Sequence, residues 1–274
     1  MKKIAFLSLL VFLFTGCDGF LDSENLVKKD TSSFPETSQD ALDALTGVYS
    51  ILPSVNVNQC TFLVSELLSD DRLGGGAAVD RSWAAMDQLK KINDDMFPDF
   101  WKKMYQGIFR SNMLLETLDV VKTWEKPELK DQIAAEARFL RAYFYFELCR
   151  MFGTVPLVLT TEAVNNPRAE ARELYAQMAD DLKYAIQTLP DKKYEVKDSQ
   201  LGHATKWAAE SLMARVYLFY TGYYKQDALP LTEGGSVTKQ EVINWLDDCI
   251  NNSGHGLVSN FGTQCVFRLL RRLR

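Results

Sequence analysis

The chain has 274 residues, 47% of them hydrophobic, a globular composition with room for one large domain or two small ones. Of its 31 Lys and Arg, two lysines fall in the first sixteen residues and four arginines in the last seven; the 25 that remain face 36 Asp and Glu, a net charge near −11. That field repels a phosphate backbone and no basic patch with interleaved aromatics offsets it, which excludes nucleic acid as a partner.

Met1, Lys2 and Lys3 form a basic head, and Ile4 to Phe14 is an uncharged run, apolar except Ser8. As a helix this run rises about 16 Å, against a hydrocarbon core of about 30 Å, so it cannot span a membrane. With the small Thr15 and Gly16 behind it, residues 1–16 read as a secretory signal peptide. Cys17 then stands between a removable leader and a polar stretch, with no core to join. Phe14-Thr15-Gly16-Cys17 resembles the bacterial lipobox, with Phe14 in place of the usual Leu, which implies that Cys17 is acylated after cleavage. Two or more acyl chains suffice for stable anchoring. Residues 17–36 read as a polar tether.

Helical periodicity dominates residues 37–260. Ala41, Leu45, Val48 and Leu52 predict a helix that opens after Thr37 or Ser38 and closes at Pro53. The stretch 69–88 is predicted to be a loop, because Gly74, Gly75 and Gly76 cannot form a stable helix interior. Further helices are predicted over 100–121, 127–152, 169–189, 204–224 and 239–251. Pro127 suits a first turn, and Gly153 suits the left-handed position past a helix end. On the 204–224 helix, Ala208, Leu212, Arg215 and Phe219 share one side. Strand signals are scarce; "TVPLVLT" at 154–160 is the best of them. The fold class is therefore all-α, as tetratricopeptide-like stacked helical hairpins with irregular ligand-facing loops. One hairpin cannot bury its own apolar face, so stacking is required.

No catalytic motif emerges: HExxH, GxSxG, the Walker loop and the dinucleotide fingerprint do not occur. No enzyme activity, cofactor or metal is expected. Cys60, Cys149, Cys249 and Cys265 show no metal-ligand spacing, and Cys149 is predicted to be buried and reduced. His203 and His255 read as cap or loop residues, and the pairs Asp94-Asp95, Asp180-Asp181 and Asp247-Asp248 as solvated. The candidate ligand site is the glycine-rich stretch, with Asp71, Asp80, Arg81 and Trp83: a Trp face suits a sugar ring, and charged side chains bond its hydroxyls. The competing reading is a solvated connection with Trp83 plugging the core. Tyr223 and Tyr224 are secondary candidates.

The run "EARFLRAYFYFELCRMFGTVPLV", residues 136–158, is read as a helix covered on nearly all faces, whose residues hold the fold. It resembles the fingerprint of the SusD/RagB family of outer-membrane nutrient-binding lipoproteins. "CDGFLD", "ALDALTGVYS", "FWKKMYQGIFRSNMLLE" with Trp101, Tyr105, Ile108 and Asn112, and "ATKWAAESLMARVYLF" resemble other family segments in the same order. The resemblance implies a lipid-anchored protein on the outer-membrane surface, beside a TonB-dependent porin, capturing an oligosaccharide or other nutrient. The chain is about half as long as a typical member, and its residues 261–274 turn basic, so a truncated or frameshifted end is expected. An exported helical-repeat scaffold binding a protein partner, or an exported hydrolase, are the alternatives.

Overall fold

The computed structural model describes residues 34–257 apart from 70, 76–80 and 92–95. The leader, Cys17, nearly all of the tether and the basic tail lie outside the described residues. The helices are α1 (Ser38–Tyr49), α2 (Val55–Leu68), α3 (Arg81–Asp87), α4 (Met96–Thr117), α5 (Pro127–Phe152), α6 (Ala171–Thr188), α7 (Lys206–Tyr224) and α8 (Lys239–Asn252). Each helix from α4 to α8 packs on the next, while α1 packs on α4 and α5 and α2 packs on α4. The result is the predicted stack of hairpins, α4 with α5 and then α6 with α7.

Local chemistry sets the helix ends. Thr37 accepts the Asp40 N–H while Asp40 accepts the Thr37 N–H, a capping box, and Thr238 with Glu241 repeats it at α8. Pro127 opens α5, and Gly153 closes it at φ 75°, where a Cβ would be strained. Between the ends, Phe100, Met104 and Ile108 of α4, Leu140, Phe144 and Leu148 of α5, and Leu174, Met178 and Leu182 of α6 are fully buried in one core.

One helix goes beyond the sequence reading, and one reading is corrected. Val55–Leu68 is helical; Cys60, Val64 and Leu67 follow helical spacing, but Pro53 and the low-propensity "VNVN" start masked it. The glycine stretch is a loop only in part, because Arg81–Asp87 forms α3 beyond the glycines. "TVPLVLT", expected to pair briefly at most, makes a single bridge, from Pro156 to Arg168. Side chains stand in for a sheet partner: Tyr145 Oη accepts the Val158 N–H at 2.7 Å and donates to its carbonyl at 2.8 Å. Tyr105 donates to the Pro156 carbonyl at 2.8 Å. The only strands among the described residues are two-residue ones, β1 (Leu229–Pro230) and β2 (Ser236–Val237), paired antiparallel.

Two of the acidic pairs are not both solvated, as expected, but hold helices together. Asp181 is fully buried and receives both arms of Arg141, at 2.8 and 2.7 Å, while Arg141 Nη1 donates to Asn112 at 2.8 Å. This clasp joins α4, α5 and α6. Lys206 Nζ lies 2.7 Å from Asp248 and 3.8 Å from the buried Glu210, joining α7 to α8. A third cluster centres on the buried Glu136, which accepts Tyr49 Oη at 2.6 Å and lies 2.8 Å from His203 Nδ1. His203, read as a cap or loop residue, is thus a tie between the α7 approach and α5.

The last two clusters make stability pH-dependent with one sign. Burial and then the Asp248 carboxylate push Glu210 up to about 7, so folding takes up a proton that the unfolded chain releases near 4.5. The bond to Glu136 raises His203 above its ordinary 6.5, so its contribution is complete below that value and is lost as pH rises through the folded one. Warming scans from pH 5 to pH 8 should therefore show a melting midpoint falling by roughly 3–6 °C. Glu210→Gln should flatten the part of that fall around pH 7. A midpoint that climbs over this interval would contradict both assignments.

Candidate functional site

A wide cleft of about 810 Å³ is lined by Thr61, Phe62, Leu63 and Ser65 of α2, Trp83 of α3, Tyr143, Glu147 and Arg150 of α5, and Arg215 of α7. On α5 the three lining residues recur at i, i+4 and i+7, which puts them on one helix face. Trp83 reaches the cleft because α3 lies against Gly74, where an added Cβ would overlap the Trp83 backbone carbonyl. Only a glycine permits that approach.

The cleft combines apolar rings with charge. Phe62 is half exposed, and the Arg72 guanidinium sits over its ring at 5.4 Å. Glu147 is 2% exposed and holds Arg150 Nη2 at 2.6 Å. Arg150 and Arg215 share the Phe146 ring, their guanidinium carbons 5.5 and 5.7 Å from its centroid. Phe146 is held in turn edge-on by Phe219 at 5.8 Å. Burial, followed by the Glu147 carboxylate, pushes the Tyr143 hydroxyl up to about 12 against the opposing pull of both arginines. Tyr143 therefore stays neutral and serves as donor or acceptor. Aromatic faces, a hydroxyl, a carboxylate and guanidiniums together suit a polyhydroxylated ligand.

Of the predicted site residues, Trp83 lines the cleft and is half-buried, so it neither plugs the core nor sits on a solvated connection. Asp71 is exposed, its N–H donates to Ser69 Oγ at 3.3 Å, and it does not line the cleft. Asp80, the Arg81 side chain and Cys17 lie outside the described residues. Tyr223 is exposed and stacks on Phe219 at 5.5 Å, and Tyr224 packs on Tyr175 at the same distance; neither lines the cleft. Phe62, Tyr143, Glu147, Arg150 and Arg215 were not anticipated as site residues. The fingerprint helix holds the fold as expected, but its Tyr143–Glu147–Arg150 stripe faces the cleft; polar groups at helical spacing in the otherwise apolar stretch 142–152 were the available signal. A second cavity of about 640 Å³, with Gln39, Glu128, Gln132 and His203 in its wall, has no aromatic ring besides the imidazole. Among the described residues no group of acidic, His and Cys side chains is placed to hold a metal, and no helix is long and apolar enough to cross a membrane.

Residues 19–218 match the SusD-like family described as "Starch-binding associating with outer membrane". A SusD-like protein of Bacteroides ovatus is 26% identical, over 95% of this chain and 46% of its own length. SusD-like protein P25 of Formosa agariphila is 24% identical, over 92% of this chain and 46% of its own. The chain thus spans about half the length of the curated relatives it matches. Among solved structures, a laminarin-binding SusD-like protein superposes with a TM-score of 0.64 at 25% identity, covering 82% of this chain and 47% of that one. A SusD homologue from Bacteroides thetaiotaomicron gives a TM-score of 0.68 at 22% identity, over 86% of this chain and 45% of that one, a likeness of fold.

Proposed function

The chain belongs to the SusD-like family, and from that premise we propose that it binds a glycan in the cleft between α2, α3, α5 and α7, without turning it over, for uptake through a TonB-dependent porin. The observation that carries the reading is Trp83, half-buried with one wall of the cleft around it and facing a space that also holds Phe62, Tyr143 and the arginines. The laminarin-binding neighbour supports a polysaccharide as the ligand class. The anchor in this reading is Cys17, acylated and fixed to the outer membrane at the cell surface.

Calorimetry with a panel of oligosaccharides tests the binding step. Trp83→Ala should weaken the best ligand about tenfold, the loss expected from one stacking ring worth ~1.4 kcal/mol, with melting temperature nearly unchanged. Equal affinity of the variant would move the site elsewhere. Product appearing from a bound oligosaccharide would favour the hydrolase instead. For the anchor, Cys17→Ser should shift the protein from the detergent phase to the aqueous phase or leave the leader uncleaved. Identical partitioning of both forms would remove the lipid.

A further inference from the structure

The cleft has more positive charge than its own residues neutralise. Arg150 is held by the buried Glu147 at 2.6 Å, and Arg72 at the rim pairs with Glu66 at 3.4 Å. Arg215 has no carboxylate within ion-pair distance among the described residues, although the chain as a whole is acidic. Its guanidinium is nonetheless positioned, lying over the same Phe146 ring as Arg150. Two like charges held on one ring, with a single carboxylate between them, leave one cation to be matched from outside. Arg215 is exposed, and it lines a cleft whose other wall is Trp83 and Phe62.

We infer that the cleft selects an anionic glycan, whose carboxylate or sulfate group meets Arg215 while a neighbouring sugar ring lies on Trp83. The inference rests on the glycan-binding reading above and narrows it to a substrate class. The two oxyanions differ in shape but share the bidentate geometry a guanidinium recognises.

The test is a titration of the chain with three oligosaccharides of equal length, a uronic-acid oligomer, a sulfated oligomer and a neutral glucan, together with sodium sulfate alone. At low salt at least one charged oligomer should bind about five- to twentyfold tighter than the glucan, and the margin should shrink as salt rises from about 0.05 to 0.5 M. Which oligomer gains identifies the oxyanion. Arg215→Gln, a change at an exposed position, should erase the margin of the charged oligomers over the glucan, whatever it takes from glucan binding itself, and Arg215→Lys should restore part of that margin. Glucan binding equal to that of both charged oligomers would overturn the inference and leave the glycan reading standing. Failure of all three oligosaccharides would overturn both. Sulfate alone binding as tightly as the sulfated oligomer would reduce the site to an anion site and overturn the saccharide assignment.

Discussion

Arg141→Met is expected to cost about 3–5 kcal/mol of folding stability, read as a lower denaturant midpoint, because it strands a buried charge. Asp181 is fully buried and takes both guanidinium arms, so without them its carboxylate keeps one neutral donor among the described residues, Gln177 Nε2 at 3.2 Å. Asn112 would lose the guanidinium bond at its Oδ1 while its own amide still donates to the Val158 carbonyl at 3.0 Å. One substitution thus loosens α4, α5, α6 and the chain after Gly153 together. The double variant Arg141→Met with Asp181→Leu should recover much of the loss, since apolar groups of similar size can replace a buried pair. A single-variant cost below about 1 kcal/mol would show that water reaches Asp181 and solvates it.

Phe144→Ala is expected to cost a comparable 3–5 kcal/mol, for a different reason: a large buried ring leaves a cavity that its neighbours refill only in part. Phe144 is fully buried, and its ring sits on the bare backbone of Gly107, where an added Cβ would lie 2.5 Å from Cε2. That contact predicts a specific coupling. Gly107→Ala should destabilise the wild-type chain by overpacking, yet cost much less, or even help, in the Phe144→Ala background, where the methyl group enters the vacated space. Phe139, on the same helix but only half-buried, should lose less when truncated. Additive costs at Gly107 and Phe144, measured by chemical denaturation, would mean that the two sites relax independently.

Of the four residues proposed from the glycine-rich stretch, Trp83 lines the cleft and Asp71 does not, while Asp80 and the Arg81 side chain lie outside the described residues. Trp83 stood out because its ring offers an apolar face to a sugar. Asp71 was a candidate only by proximity in sequence, and proximity says nothing about which way a loop residue points. The remaining cleft residues come from α2, α5 and α7, and Phe62 lies 153 positions from Arg215 in the numbering. No local pattern joins residues so far apart. Arg215 did share a helix side with Phe219, which the spacing showed, but that both it and Arg150 settle over Phe146 depends on how α7 crosses α5.

Sequence by itself determined the helical class, the hairpin order of α4 to α7, and most helix ends, because these rest on interactions within a few residues: a 3.6-residue apolar repeat, Thr37 as a cap, Pro127 at a first turn and Gly153 past an end. Only the tertiary structure decided the pairing of charges. Asp180-Asp181 and Asp247-Asp248 look alike on paper, yet Asp181 is buried on Arg141 whereas Asp180 accepts from the exposed Thr232. Helix rotation separates them: neighbours on a helix point about 100° apart, so the packing partner selects which of two equal carboxylates is taken out of water. The same selection turns Tyr143, Glu147 and Arg150 from one stripe of a structural helix into the wall of a cleft, since a side chain's role follows from what the other helices place opposite it.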